Sequence, residues 1–298
     1  MRPIRKILKI SDSLLFLIFK ILNRLANFRV FSSARFDALE KDFEIIHYKD
    51  ILFLISTKDK LISKELFKKG NSDFGKFEKA YKILNLQTKK ENLNLIDVGA
   101  NIGTIGITAL KKNFVSKCFF FEPSPINYKL LKSNIILNDL ENNSQSYQLA
   151  LGSQKGHAKL QLSKNDFGDH RMKVGNFIDP HREEFKVSVE SLSHYVDIID
   201  PANSLIKIDT QGYEGYILDG AKKYTSYGTP LIIEFWPFGL KNSKCFELLV
   251  ENLTQSNYNY FIDLKDMENK KINISSNNLN LLYDKIGDKG NFTDLLIF

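Results

Sequence analysis

The run Asp97-Val-Gly99-Ala-Asn101-Ile-Gly103 follows an apolar stretch from Leu93 and leads into a helical pattern at Thr104. It reads as a strand that ends in a tight glycine turn. Glycine lets a backbone approach a ligand closely and adopt conformations that a side chain forbids. The helix start offers free N–H groups to a negatively charged part of that ligand. About 25 residues further on, Phe119-Phe-Phe-Glu122-Pro123-Ser124-Pro125 is a second apolar strand with a carboxylate at its carboxyl end. An ionised Glu122 accepts hydrogen bonds from two neighbouring hydroxyls, as a ribose would present them. Glycine turn and acid together suit a nucleoside cofactor at the carboxyl edge of a parallel sheet.

Two cofactor classes compete for that reading. The dinucleotide fingerprint is G-x-G-x-x-G, and its second glycine admits a pyrophosphate. Here the spacing is Gly99-x-x-x-Gly103-x-x-Gly106, and Asn101 stands where the second glycine belongs. S-adenosylmethionine has no pyrophosphate, only an amino-acid moiety, a sulfonium and an adenosine. The turn suits it better, with Asp97 either binding the ammonium end or ordering the loop.

Four further positions carry reactive groups. Asp209 directly ends the apolar run Leu205–Ile208. Glu214 reads equally as a site acid and as a first-turn acid favoured by the helix dipole. Glu234 is embedded in Leu231-Ile-Ile-Glu-Phe-Trp-Pro237, where a carboxylate is costly unless paired or functional. It is therefore a candidate general base, with Trp236 and Phe238 as an aromatic wall for a sugar face. His170, in Phe167-Gly-Asp-His-Arg171, is a second candidate base, since a neutral imidazole can take a hydroxyl proton. The competing reading is a loop histidine held by a hydrogen bond. Arg171 either meets an acidic substrate group or clamps its loop. His47, His157, His181 and His194 read as structural. No clustered Cys/His spacing is present, so no metal site is expected. Cys118 and Cys245 are far apart in apolar surroundings, read as packing residues, and fit a reducing cytoplasm.

The elements that must position these groups follow from periodicity. Phe43–Tyr48 and Ile51–Ile55 flank a turn at Lys49-Asp50 and predict a β-hairpin. Lys64 to Leu86 has helical spacing, broken near Gly70-Asn71. From Leu93, apolar runs alternate with helical stretches: Leu93–Val98, Lys117–Phe121, Ser146–Ala150, Leu205–Ile208 and Leu231–Phe235. The helices between them are Thr104–Lys112, Pro125–Asn138 and Glu214–Tyr224, and the rhythm is that of βαβ units in a parallel sheet. An insertion from about Gly156 to Ser193 interrupts it, and Tyr258–Leu264 and Phe292–Phe298 read as two closing strands.

Asp97–Gly103, Glu122–Pro125 and Lys207-Ile-Asp-Thr-Gln-Gly-Tyr-Glu214 together resemble the FkbM-like family of methyltransferases. Ala150-Leu-Gly152, Gly168-Asp-His-Arg171 and Leu231–Phe235 are similar to further blocks of that family, in the same order. The resemblance implies a Rossmann-like class I methyltransferase fold: an α/β, mostly parallel twisted sheet with a C-terminal antiparallel hairpin. It also implies S-adenosylmethionine as cofactor and O-methylation of a sugar or secondary metabolite. Position by position, Asp97, Gly99, Asn101, Gly103 and Thr104 would line the methionine end. Glu122 would hold the ribose, with Pro123 and Ser124 beside it also binding the cofactor, Ala150 and Leu151 would edge the adenine, and Asp209 would lie near the sulfonium. The family's more frequent form has an acid where this chain has Gln211. The resemblance covers residues 59–298, the methyltransferase domain, and leaves 1–58 as an extension with an amphipathic helix and the hairpin.

The chain of 298 residues carries a net charge of +7, much of it early, at Arg2, Arg5, Lys6, Lys9, Lys20, Arg24 and Arg29. Ile4, Ile7, Leu8, Leu14, Leu15, Ile18, Ile21, Leu22 and Leu25 trace one helical face. Its longest uncharged stretch is too short to cross a bilayer, and no signal-peptide cleavage site follows it. An in-plane membrane helix over residues 1–31 and an ordinary packing helix are the two readings. The first puts the protein in the cytoplasm, at the inner face of the membrane. A nucleic-acid methyltransferase is disfavoured, because Ile208-Asp-Thr-Gln-Gly212 is no Asn/Asp-Pro-Pro-aromatic turn and no basic stripe interleaves with aromatics. The non-enzymatic alternative is a membrane-associated module that keeps the fold without activity. The expected partner is a small-molecule or glycan acceptor.

Overall fold

Runs of β-branched and aromatic residues separated by helices fold into one twisted sheet in the computed structural model, which describes Leu14 and residues 29–71, 74–88, 93–176 and 178–298. A hairpin of β1 (Phe43–Tyr48) and β2 (Ile51–Ser56) comes first, with Phe43 opposite Ser56. Next come β3 (Asn94–Val98), β4 (Lys117–Phe121) and β5 (Ser144–Tyr147). After β6 (Ala150–Leu151) the insertion holds β7 (Gly156–Leu162), β8 (Arg171–Met172) and β9 (Glu183–Glu190). The chain closes with β10 (Ser204–Ile208), β11 (Leu231–Phe235), β12 (Tyr260–Asp263), β13 (Ile272–Asn273) and β14 (Thr293–Ile297).

Across the main sheet the order is β13-β12-β14-β11-β10-β3-β4-β5. Strands β11, β10, β3, β4 and β5 pair in parallel, and β14 lies antiparallel between β11 and β12. From β3 the chain builds outward to β4 and β5, then returns to the other side of β3 as β10. Ligands of open α/β sheets bind at such a reversal. Asp97 and Lys207 are paired there in register.

Alternate residues of each strand face opposite sides, so the sheet has two cores. Leu95, Phe120 and Leu205 join Ile107 and Leu131 on one side. Ile96, Phe121, Ile206 and Phe235 join Ile217 and Leu218 on the other. The helix Pro125–Leu137 begins with proline at its first turn after Ser124, whose side chain accepts from the Asn127 N–H.

The hairpin is part of this core, although the resemblance to the family begins only after it. Ile51, Phe53 and Ile55 are buried with Leu95 and Leu131. Asn134 donates to the Leu54 carbonyl at 3.3 Å and accepts from its N–H at 2.6 Å. Asn138 repeats the exchange with Leu52, at 2.8 and 3.0 Å. Two helix amides thus satisfy the free backbone edge of β2 as another strand would. Residue 58 is no packing boundary.

The helical pattern broken at Gly70 is realised as Ile62–Lys69 and Phe74–Thr88. The expected strand Ser146–Ala150 divides instead: β5 ends at Tyr147, and Ala150–Leu151 pairs in parallel with Val189 and Glu190 of β9. The insertion thus adds to β6 to make a second small sheet, ordered β6-β9-β7-β8. The helix expected over Glu214–Tyr224 breaks at Ala221 into Glu214–Gly220 and Lys222–Thr225. The two closing runs pair directly as β12 and β14, with β13 and the helix Ser276–Ile286 between them in sequence.

Most of the amphipathic helix expected over residues 1–31 lies outside the described residues, and the membrane contact proposed for it lies there too. Among the described residues no helix is long and apolar enough to cross a membrane.

Candidate active site

After Val98 the chain turns through Gly99 (φ 75°), Asn101 (φ 52°) and Gly103 (φ 88°) into the helix Thr104–Lys111. A Cβ on Gly99 would sit 2.0 Å from the Asp209 carbonyl oxygen. The neighbouring strand end therefore demands glycine there, whatever a ligand demands. Asp97 is fully buried; its Oδ2 accepts from the Gly106 N–H at 3.3 Å, and its Oδ1 lies 3.5 Å from Lys207 Nζ. Of the two roles expected for Asp97, this is the ordering of the loop. Burial pushes its carboxyl up, with Lys207 pulling the other way. Lys207 also reaches Asp209 Oδ2 at 3.6 Å. Burial disfavours the Lys207 charge, but Asp209, Asp97, Asp294 and Glu234 outweigh burial and hold its ammonium above the usual lysine range.

Glu122 ends β4 with both carboxylate oxygens engaged by backbone. Oε2 accepts from the Asn101 N–H and Oε1 from the Ser124 N–H, each at 2.8 Å. Each oxygen keeps a lone pair for a further donor. Burial raises the carboxyl to about 7, against the pull of the two N–H groups. Around it a pocket is lined by Gly99, Asn101, Pro123, Leu149, Ala150, Leu151, Asp209 and Ile217. A carboxylate with free lone pairs beside apolar Leu149, Ala150, Leu151 and Ile217 is chemistry that suits a nucleoside.

The insertion covers this pocket. The Phe167 carbonyl accepts from Asn101 Nδ2 at 3.0 Å and from Asn127 Nδ2 at 2.9 Å, which docks the loop on the glycine turn. Asp169 pairs with Arg171 and Arg182, and the Arg171 guanidinium lies 5.0 Å from the Trp236 ring centre. Of its two expected roles, Arg171 thus clamps the loop. Phe167, Gly168, His170, Leu160 and Met172 complete the pocket wall.

A second cleft shares Asp209 with this pocket. It is lined by Thr104, Lys76, Phe77, Lys207, Asp209, Gln211, Glu234 and Asp294, with Leu61 and Ile62 at the mouth. Glu234 and Asp294 lie opposite each other across β11 and β14. Gln211 Nε2 donates to Asp209 Oδ1 at 3.1 Å and to Glu234 Oε2 at 3.2 Å. Burial first, then Asp209, Glu214 and Asp294, pushes the Glu234 carboxyl well above the usual range. Glu214 is also buried, but its Oε1 accepts from Thr210 N, Thr210 Oγ1 and Gly212 N, so it ties the loop after β10. Among the described residues no group of three or more His, Cys, Asp or Glu is placed to hold a metal ion.

Residues 97–261, more than half of the chain, match the family described as the methyltransferase FkbM domain. The chain belongs to this family. A stretch of 85 residues is 34% identical to the methyltransferase sdnD of Sordaria araneosa, covering 28% of this chain and 32% of that protein. The chain thus spans about a third of the length of that curated relative. It is also similar to the M. jannaschii TYW2 structure in complex with AdoMet, at a TM-score of 0.43 and 13% identity over 87% of this chain and 85% of that one. A precorrin-6y C5,15-methyltransferase from Geobacter metallireducens GS-15 gives a TM-score of 0.39 and 12% identity over 78% and 88%.

An FkbM methyltransferase depends on S-adenosylmethionine, and the donor set of this chain fits that molecule. A carboxylate at the end of β4 with spare lone pairs suits a diol, and the walls beside it are apolar. Asn127 and His170, which line the same pocket, each have a buried polar atom, Oδ1 and Nε2, with no partner among the described residues.

The FkbM chain brings most of the expected site residues to the two clefts. Gly99, Asn101 and Asp209 line both, Glu122, Pro123, Ala150 and Leu151 line the first pocket, and Thr104 and Glu234 line the second cleft. Asp97, Gly103 and Ser124 line neither. Asp97 is turned beneath the loop, Gly103 packs against Ile107 and Leu131, and Ser124 caps a helix. His170 lines only the nucleoside pocket, apart from Glu234, and its Nδ1 accepts from the Ser163 N–H at 3.0 Å. Burial, then Arg182, lowers the His170 imidazole to about 4. These facts do not fit the base expected of His170. Trp236 is buried, with Gly239 packed on its ring, so it offers no open wall to a sugar.

Sequence reasoning missed Lys207, Asp294, Asn127 and the bridging role of Gln211. Two of these carried a readable signal: Lys207 and Asp294 are charges inside apolar strands, as Glu234 is.

Proposed function

We propose that this protein transfers the methyl group of S-adenosylmethionine to a hydroxyl of a sugar, glycan or secondary metabolite. One observation carries the reading: the nucleoside pocket and the second cleft share Gly99, Asn101, Gly168, Asp209 and Gln211. A nucleoside in one and an acceptor in the other would meet over Asp209. When bound, the cofactor supplies an electrophilic methyl on a sulfonium. Glu122 receives the ribose hydroxyls, Pro123, Ala150 and Leu151 flank the base, and Asp209 stands beside the charged centre.

Glu234 is the general base in this reading. A sugar hydroxyl is a poor nucleophile, so a proton acceptor within hydrogen-bond reach accelerates its attack. Burial makes Glu234 a stronger acceptor than an ordinary carboxylate once it is ionised. Gln211 fixes its orientation through Oε2. The loop Asp166–His170 closes the nucleoside side and keeps water from competing with the acceptor.

Methyl-labelled S-adenosylmethionine offered with pooled glycans, lipids, metabolites and tRNA tests the reading. Label in a hydroxylated glycan or small molecule supports it. Label in tRNA alone overturns it, as does absence of transfer to every pool by protein that binds S-adenosylhomocysteine.

A further inference from the structure

Two residues lining the Glu122 pocket carry buried polar atoms of opposite kind that have no partner among the described residues. Asn127 is 1% exposed; its Nδ2 is committed to the Phe167 carbonyl at 2.9 Å, and its Oδ1 has no partner among the described residues. That commitment fixes the amide orientation, so the orphan is an acceptor. His170 Nδ1 accepts from the Ser163 N–H at 3.0 Å and so carries no hydrogen. In a neutral imidazole the hydrogen is then on Nε2, which is also buried without a partner. The imidazole stays neutral through the physiological range, because burial and Arg182 lower it to about 4.

A buried polar atom left unpaired costs free energy, so each asks for a group that the chain does not supply. Together they ask for one donor and one acceptor on the same ligand. Both residues line the pocket that holds Glu122, and the Phe167 loop joins them: Asn127 holds its carbonyl, and the His170 ring lies 5.6 Å from the Phe167 ring. Adenine presents a matching pair on one edge, the 6-amino group as donor and N1 beside it as acceptor.

We propose that Asn127 and His170 read the base of the cofactor, Asn127 Oδ1 accepting from the 6-amino group and His170 Nε2–H donating to N1. The inference rests on the assignment of this pocket to the nucleoside. It gives the insertion a second duty: besides covering the pocket, it selects adenine over other purines. His170 is thereby a specificity residue, not a base.

S-inosylhomocysteine is the probe, because hypoxanthine reverses both groups, with a carbonyl at position 6 and N–H at position 1. By isothermal titration the native chain is expected to bind S-adenosylhomocysteine about 100-fold more tightly than the inosine analogue. His170→Phe keeps an aromatic ring, and is expected to narrow that preference to about tenfold. Imidazole nitrogen NMR of the native chain needs no variant. It should report a hydrogen on Nε2 that shifts when S-adenosylhomocysteine saturates the site. Equal affinity for the two nucleosides, an undiminished preference in a folded His170→Phe chain, or an Nε2 signal indifferent to ligand overturns the proposal. If S-adenosylhomocysteine fails to bind at all, the pocket assignment falls and this inference with it.

Discussion

Glu234 accepts a hydrogen bond from Gln211 at 3.2 Å, inside a strand whose other residues are buried and apolar. The same Gln211 Nε2 donates to Asp209 at 3.1 Å, so one neutral side chain holds two carboxylates at the seam between the clefts. With an acid at 211 a third carboxylate would crowd the same place. The bridge leaves Glu234 oriented and, in the proposed reaction, poised to take a proton.

Glu234→Gln should therefore lower kcat by about 10² to 10⁴ while S-adenosylhomocysteine binding by titration stays within about threefold. The pH profile sharpens this. A carboxyl raised by burial is protonated, and useless as a base, below its elevated pKa. Native kcat/KM should rise as pH increases through that pKa, and the limb should vanish in any residual Glu234→Gln activity. A matching profile in the variant would remove Glu234 from the base role.

Glu122 links pH to binding. Its folded carboxyl stands at about 7, against about 4.5 for an unburied one. The folded state thus prefers the proton, and the associated stability is full below pH 4.5, then declines as pH rises toward 7. The loss by pH 7 is about 3 kcal/mol, readable by urea denaturation in the native chain and absent in Glu122→Gln. Ribose hydroxyls favour the ionised form, so S-adenosylhomocysteine affinity should increase between pH 5.5 and pH 8, by about tenfold or more. Glu122→Gln should bind more weakly and lose that slope.

Lys207 is the cation beneath the site. Lys207→Met would leave Asp97 buried without its ammonium and should destabilise the fold by about 3–5 kcal/mol. Adding Asp97→Asn should restore part of that loss, because it removes the stranded charge. If the double variant is no more stable than the single one, the pairing is not what holds the loop.

Gly99→Ala places a methyl 2.0 Å from the Asp209 carbonyl oxygen, at a φ of 75°. Neither atom belongs to a flexible side-chain end, so the strand ends must separate. A loss of more than about 2 kcal/mol in thermal or urea unfolding is expected. A variant of native stability with only cofactor binding reduced would mean that the glycine serves the ligand alone.

The parallel sheet and the placing of Gly99, Glu122 and Asp209 at strand ends were legible because they depend on local patterns. Apolar runs ending in Val98, Phe121 and Ile208 carry their functional residues at the next position or two. What escaped was long-range pairing. Nothing near Asn134 or Asn138 says that their amides close the edge of a hairpin some 80 residues earlier. Asp97 looked like a ligand group because its spacing was right, yet Lys207 and the Gly106 N–H turn it inward. His170 looked like a base by type, and only the Ser163 contact assigns its hydrogen. The break between β5 and β6 follows from pairing with β9, which no local pattern announces.

The account stands most directly on where the methyl group goes. Carbon-13 methyl S-adenosylmethionine, incubated with the protein and its labelled acceptor fraction, gives a product whose methyl linkage NMR reads without reference to any variant. The expected product has a methyl carbon bonded to oxygen on a hydroxylated glycan or metabolite, and Glu234→Gln abolishes or strongly slows its formation. A methyl bonded to nitrogen of a nucleic-acid base, or an O-methyl product formed equally fast by Glu234→Gln, would contradict it.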